Sequence, residues 1–404
     1  MIDKAREFEV AVLGGGAAGI VASLSARRAG KSVVICERMP HVGKKILASG
    51  NGRCNLLNES LSDSFYNSGA RPLVKSVFAK FSKADILNFF EGLGLHTYSE
   101  EGRIFPITNQ SSSVLKVLEI ALRRLSIPVE IDFEVTNISD TKSDFFLTSK
   151  SGRKISCGAL IMASGGKSYP AFGSDGSAYK FAEQFGHKIV GPVPSAVPLV
   201  AKDPLCHALQ GQKIFASAKA VVSGKIASEA SGEVLFTKYG LSGTAILDIS
   251  REVSIAVNRL GKKDVTMILD MAPFLDEMVL AAELARRLGS GFPAEELTAG
   301  ILPNKFGPAL GSFVNTKDAA ALAKRLKSKE FSITGTRGWN EADFTAGGVS
   351  CEGVNAGTLG SKSKKGLYFA GEILDVDGCR GGYNLAWAWA SGFVAGQAAA
   401  RSKI

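Results

Sequence analysis

The chain has 404 residues, 45% apolar and 21% charged, the balance of an ordinary globular protein with room for two or three domains at about 150 residues each. Its net charge of +10 favours anionic ligands, yet the basic runs (Lys44-Lys45, Lys262-Lys263, Lys324 to Lys329, Lys362 to Lys365) are short, and no RNA- or DNA-binding motif accompanies them, so a nucleic-acid partner is not expected. The six cysteines lack C-x-x-C spacing and the four histidines lack ligand spacing, which argues against a metal centre or a thioredoxin-like pair and points to free thiols in a cytoplasmic protein.

The first predicted element is a buried strand over Glu7 to Leu13. The turn Gly14-Gly15-Gly16-Ala17-Ala18-Gly19 follows, then a helix over Ile20 to Ala29 and a second strand over Ser32 to Cys36 that ends in Glu37. The glycines break the apolar stretch from Val10 to Ala26, so it does not read as a secretion signal. No uninterrupted run of 18 apolar residues occurs elsewhere, and no membrane span is expected.

Each part of this strand-turn-helix-strand unit has a physical task. Gly14 permits a tight turn, Gly16 lets backbone approach a pyrophosphate, and Gly19 allows close helix-strand packing. The amides and dipole at the helix start hold the phosphates. Glu37 stands where a carboxylate accepts hydrogen bonds from the adenosine ribose, and it disfavours a 2′-phosphate. The pattern predicts a bound dinucleotide but does not separate FAD from NAD.

A polar, glycine-rich loop then runs from Val42 to Asn55. Lys44 is placed to reach phosphate, and Asn51, Arg53 and Asn55 to bond the edge of a planar heteroaromatic ring. Cys54 reads as a packed thiol close to that ring. Val129 to Asn137 is predicted as a strand in which Val135 is a core valine. Leu160 to Ala163 is a buried strand that opens into Ser164, Gly165 and Gly166, small residues that let a dinucleotide lie across the strand end. Near the carboxy terminus, Leu367 to Glu372 reads as a strand ending in an acid. Gly381-Gly382-Tyr383-Asn384 then leads into an apolar helix over Leu385 to Ala400.

These motifs resemble those of a bacterial family of NAD(P)/FAD-dependent oxidoreductases that includes aminoacetone oxidase and BaiN-type bile-acid enone reductases. The matching segments are Gly14 to Gly19, Glu37-Arg38, Gly43-Lys44-Lys45, Ser49 to Asn58, Gly240-Leu241-Ser242-Gly243, Thr345 to Val349, Gly371-Glu372 with Asp375, and Gly381 to Leu385. Leu57 departs from the family's threonine. The resemblance covers essentially the whole chain. It implies FAD as cofactor, with NADH or NADPH as a transient reductant. It also implies a set of contacts: Gly14, Gly16, Ala17, Ala18 and Gly19 at the diphosphate; Glu37 and Arg38 at the ribose; Val135 at the adenine through its backbone. Further contacts are Lys44, Asn51, Arg53, Cys54, Asn55, Ser164, Gly165, Gly371, Glu372 and Asp375. Glu372 bonds the ribitol, and the helix start at Gly382, Asn384 and Leu385 faces the flavin pyrimidine.

The expected architecture is α/β. A Rossmann-type FAD-binding domain with a glutathione-reductase-like nucleotide fold is split over 1–194 and 334–404. It encloses a β-rich substrate unit over 195–271 and a helical unit over 272–333, which Pro273, Pro293, Pro303 and Pro308 break into short helices. No second strand-linked G-x-G-x-x-G occurs, so NAD(P)H would bind over the flavin rather than in its own domain. The expected activity is hydride transfer between flavin N5 and a small organic substrate held against the inserted units. Reduction of an activated double bond at the expense of NAD(P)H leads. The alternatives are a flavin amine oxidase of the aminoacetone type using oxygen, a tRNA-modifying flavoprotein and a flavin redox sensor. Tyr239, Lys238, His207 and Arg380 are polar candidates for the substrate side. The sequence leaves the catalytic residues and the oligomeric state open.

Overall fold

The computed structural model describes residues 5–311 and 318–402, so residues 312–317 of the expected helical segment lie outside the described residues. The chain forms two compact units, Met1–Pro192 with Phe344–Ile404, and Val193–Asp343.

The first unit is built on a mixed sheet. Strand β1 (Arg6–Leu13) lies at its centre, parallel to β2 (Val33–Cys36) on one side and to the strand Lys154–Met162 on the other. Leu13 pairs in register with both Cys36 and Met162, so three strand ends open together at one edge. Leu367–Phe369 adds to Lys154–Met162 in parallel, and Val129–Glu130 adds to β2. The second half of β1 and all of β2 are buried, as strands covered on both faces require.

Helix α1 (Ala17–Arg28) covers the sheet and is buried from Ala18 to Ala26. Its basic last turn, Arg27 and Arg28, complements the negative end of the helix dipole. The carboxy-terminal helix Tyr383–Ala400 packs on α1 at backbone distance. A Cβ on Gly392 would lie 2.3 Å from the Ala18 carbonyl oxygen, and one on Gly396 equally close to that of Ala22. Ser25 Oγ donates to the Phe393 carbonyl at 2.9 Å, locking the contact.

The predicted strand Val129 to Asn137 is two strands, Val129–Glu130 and Val135–Asp140. Between them Asp132 takes a left-handed φ of 50°, and the Arg153 guanidinium donates to the Ile131 and Asp132 carbonyls at 2.8 and 2.6 Å. That corner turns the chain out of the parallel sheet and into an antiparallel hairpin, Val135–Asp140 with Phe145–Ser149.

The second unit is a closed six-stranded antiparallel barrel. Its order is Leu199–Ala201, Gly240–Ser242, Lys225–Thr237, Lys213–Val222, Val265–Asp270 and Lys329–Thr336, which returns to the first strand. Every second residue of Lys213–Val222 is buried over its first eight positions, as a barrel wall should show. The helices Thr244–Ser254, Glu277–Gly289, Phe306–Gly311 and Ala319–Lys327 share the barrel's apolar core through residues such as Ile249, Leu284, Phe306 and Leu326. Pro308 does not break a helix; it sits in the first turn of Phe306–Gly311, where a missing N–H costs nothing.

Candidate functional site

The site in the first unit begins at the turn after β1. Gly14 has φ 106°, and a Cβ there would lie 2.6 Å from the Ala163 carbonyl oxygen. A Cβ on Gly19 would meet the Gly14 carbonyl oxygen at 1.9 Å, so α1 starts against the end of β1. Around a Cβ on Gly16, by contrast, there is nothing within 4 Å. The backbone before the first turn of α1 is therefore open at Gly16, where a phosphate approaching the helix start would come close to the chain.

Glu37 ends β2 and is only 8% exposed. Its Oε2 accepts from Gly15 N and its Oε1 from Met39 N, both at 2.7 Å. Burial holds its carboxyl above the usual glutamate range, against the pull of these amides. Two oxygens with about four acceptor positions still have room for ribose hydroxyls. Arg38 turns to Asp175 at 2.6 Å and Glu134 at 3.2 Å. Val135 is half-buried and opens the hairpin opposite Ser149.

The glycine-rich loop packs back on this turn. Gly43 N donates to the Gly15 carbonyl at 2.8 Å and starts the short helix α2 (Lys44–Ala48). Lys44 and Lys45 are both half-buried, and Lys45 rather than Lys44 makes the ion pair of the cluster. Lys45 Nζ donates to Glu372 Oε2 at 2.7 Å and also to Ser168 Oγ. Glu372 Oε1 accepts from Thr345 N at 2.8 Å and from Ser168 Oγ at 3.0 Å. Thr345 Oγ1 in turn accepts from Lys167 N at 2.8 Å. Four segments distant in sequence thus meet at one carboxylate, and Ser168 and Thr345 are almost fully buried.

From Gly50 to Cys54 the loop holds four residues at positive φ: Gly50, Asn51, Gly52 and Cys54. Asn51 is exposed. Arg53 commits its guanidinium to Glu100 Oε2 at 2.7 Å, Tyr98 OH at 2.6 Å and Asn109 Oδ1 at 2.9 Å, and stacks 4.1 Å over Phe105. Cys54 is fully buried, and burial pushes its thiol up to about 12, so it stays protonated and unreactive at neutral pH. Asn55 Oδ1 is buried without a hydrogen-bond partner, and so is Ser164 Oγ at the end of the strand Lys154–Met162.

Gly371 N donates to Ser391 Oγ at 2.9 Å, and its carbonyl accepts from Trp387 Nε1 at 3.1 Å, which ties the acid-bearing turn to the carboxy-terminal helix. Asp375 accepts from Asn67 Nδ2 through its carbonyl at 3.1 Å. Asn384 clamps Gly378, accepting from its N at 2.9 Å and donating to its O at 3.0 Å, and so shapes the loop before the helix. Gly382 caps that helix, and a Cβ there would lie 2.7 Å from Asn55 Oδ1. Leu385 is half-buried in its first turn.

These residues fit a dinucleotide: open space before α1, an acid at the end of β2, and two orphaned polar atoms where the cofactor edge is expected. Lys45, Ser168 and Thr345 were not assigned by sequence. Lys45 lies in the Gly43-Lys44-Lys45 motif and Thr345 in Thr345 to Val349, but Ser168 carries no local signal. In the second unit, His207 and Lys238 are exposed, and Arg337 stacks 4.6 Å over the Tyr239 ring.

Fold and site together define an FAD-dependent oxidoreductase on a Rossmann-type fold. The chain belongs to the HI0933-like Rossmann family, described as "HI0933-like protein Rossmann domain", whose profile matches residues 8–398. It is 35% identical over 407 residues to a 3-dehydro-bile acid delta(4,6)-reductase of Clostridium scindens, covering 97% of this chain and 98% of the relative. It is 30% identical to a ribosomal RNA dihydrouridine synthase of Escherichia coli, covering 96% of this chain and 97% of the relative. Among solved structures, the 3-ketosteroid-delta4-(5alpha)-dehydrogenase of Rhodococcus jostii shares the fold, with a TM-score of 0.51 at 15% identity over 99% of this chain and all of that one. No helix among the described residues is long and apolar enough to cross a membrane.

Proposed function

We propose that the protein reduces an activated carbon–carbon double bond in a small organic substrate, with NADH or NADPH as the electron source. The observation that supports this reading is the end-to-end similarity to a Δ4,6-reductase at 35% identity. The second relative's name, dihydrouridine synthase, also denotes hydrogen added across a double bond conjugated to a carbonyl.

Bound FAD would supply hydride chemistry at its isoalloxazine ring. The chain's own residues bind and orient it. Amides before α1, with the open approach at Gly16, take the diphosphate. Glu37 accepts ribose hydroxyls. Ser164 Oγ and Asn55 Oδ1 find their missing partners on the cofactor, and Glu372, fixed by Lys45, Ser168 and Thr345, faces the ribityl chain. The amino terminus of the helix Tyr383–Ala400 favours negative charge on the pyrimidine side. The six cysteines, all free thiols, agree with a reducing, cytoplasmic setting.

A second reading takes uridine in RNA as substrate. The net charge of +10 and the 30% identity to the ribosomal RNA enzyme favour it. Anaerobic incubation with NADPH or NADH separates the two. One arm contains a conjugated cyclic enone such as a 3-oxo-4-ene steroid, the other a ribosomal RNA transcript. Mass spectrometry then looks for a product heavier by two hydrogen atoms. Gain on the enone supports the leading reading, and gain on uridine replaces it with the second. Peroxide release with amines in air, without nucleotide oxidation, refutes both.

A further inference from the structure

Among the described residues, four buried side-chain polar atoms lack a hydrogen-bond partner: Asn55 Oδ1, Ser164 Oγ, Tyr179 OH and Ser195 Oγ. The first three belong to the first unit. Asn55 and Ser164 fall on motifs that the sequence ties to the cofactor. Tyr179 falls on none.

Tyr179 opens the short helix Tyr179–Gln184 and is 8% exposed. A Cβ on Gly176 would lie 3.3 Å from its ring and 3.5 Å from Lys167 Cδ, so ring and lysine stem both border that glycine. Lys167 N is bonded to Thr345 Oγ1, and Thr345 N to Glu372 Oε1, both at 2.8 Å. Burial raises the phenol's pKa, and the charges of Glu372 and Asp375 raise it further, so the hydroxyl remains a protonated donor.

A buried hydroxyl without a partner destabilises a fold, and a phenylalanine would fill the same volume without that cost. The phenol therefore has a partner in the working protein. Its neighbours define the partner's chemistry. Glu372 and Asp375 bring negative charge toward the phenol, and Lys45 already pairs with Glu372, so the surroundings suit a neutral hydroxyl rather than a further ion. An alcohol oxygen can accept from the phenol.

We propose that Tyr179 is a further cofactor-binding residue, whose hydroxyl donates to a ribityl hydroxyl of FAD beside Glu372. The proposal rests on the reading of this site as the FAD cradle. Its test is Tyr179→Phe, read by thermal melting of the apo protein and by fluorescence titration with FAD and, separately, with ADP, which lacks the ribityl chain. The apo variant is expected to melt no lower than the unmodified protein. Its FAD dissociation constant rises about 10-fold, for one lost hydrogen bond, and its ADP affinity is unchanged. An unchanged FAD affinity, a lower apo melting temperature, or an equal loss for FAD and ADP overturns the proposal. If the unmodified protein binds no FAD, the reading of the cradle itself falls. If it binds FAD and Tyr179→Phe binds equally well, only the role of Tyr179 falls.

Discussion

Gly16→Ala separates binding from folding at the turn before α1. Gly16 has φ −81° and ψ −169°, a backbone any residue adopts, and a Cβ there meets nothing within 4 Å. Alanine is a poorer helix N-cap than glycine, so the apo protein should lose no more than about 1 kcal/mol. The methyl group instead occupies the space the diphosphate needs. Overpacking of that kind costs about 1–3 kcal/mol, which is roughly a 5- to 150-fold rise in the FAD dissociation constant. Apo melting by circular dichroism and FAD binding by fluorescence quenching measure the two effects. An apo melting temperature close to that of the unmodified protein with clearly weaker FAD binding is the expected pair. FAD binding that is unchanged in Gly16→Ala refutes the placement of the diphosphate at this turn.

Lys45→Met leaves Glu372 with Thr345 N, Ser168 Oγ and a long 3.5 Å bond from Gly166 N but without its cation. The pair is partly exposed, so the loss should fall between surface and buried ion pairs, about 1–2 kcal/mol, with weaker FAD binding; equal melting and equal affinity count against the cluster. Burial raises Glu37 above its usual 4.5. Its contribution to apo stability is therefore full below pH 4.5 and is lost as pH rises through the raised value. Ribose hydroxyls bond the charged form, so FAD affinity should strengthen over that same rise, and Glu37→Gln should flatten it. Titrations of the unmodified protein that show no change of affinity across this window argue against Glu37 as the ribose acceptor. Gly392→Val puts a Cβ 2.3 Å from the Ala18 carbonyl oxygen and should destabilise the first unit by about 1–3 kcal/mol, seen as a lower melting temperature in urea or heat.

The tight turn before α1 and the acid at the end of β2 were legible because their geometry is local. Gly14, Gly19 and Glu37 lie within one strand-turn-helix-strand unit, and their spacing follows from backbone geometry that only glycine meets at Gly14. The Rossmann-type fold with an inserted β-rich part and helices was legible for the same reason, from runs such as Glu7 to Leu13 and the alternation in Ala216 to Val222. The Glu372 cluster was not. Lys44 and Lys45 are neighbours in sequence, and a rotation within a five-residue helix decides which one meets the acid. Ser168 and Tyr179 follow irregular chain with no periodicity to place them. The break after Glu130 depends on Arg153, a side chain more than twenty positions away. Barrel closure depends on Leu199–Ala201, a strand of three residues, too short to carry a pattern of its own.

Anaerobic stopped-flow spectroscopy of the FAD-loaded protein tests the central claim most directly. Mixing with NADPH or NADH should bleach the flavin absorbance, and a second mixing with a conjugated cyclic enone should restore it without oxygen. A chain that retains no flavin after reconstitution, or whose reduced flavin is reoxidised by oxygen but by neither an enone nor uridine, contradicts the account.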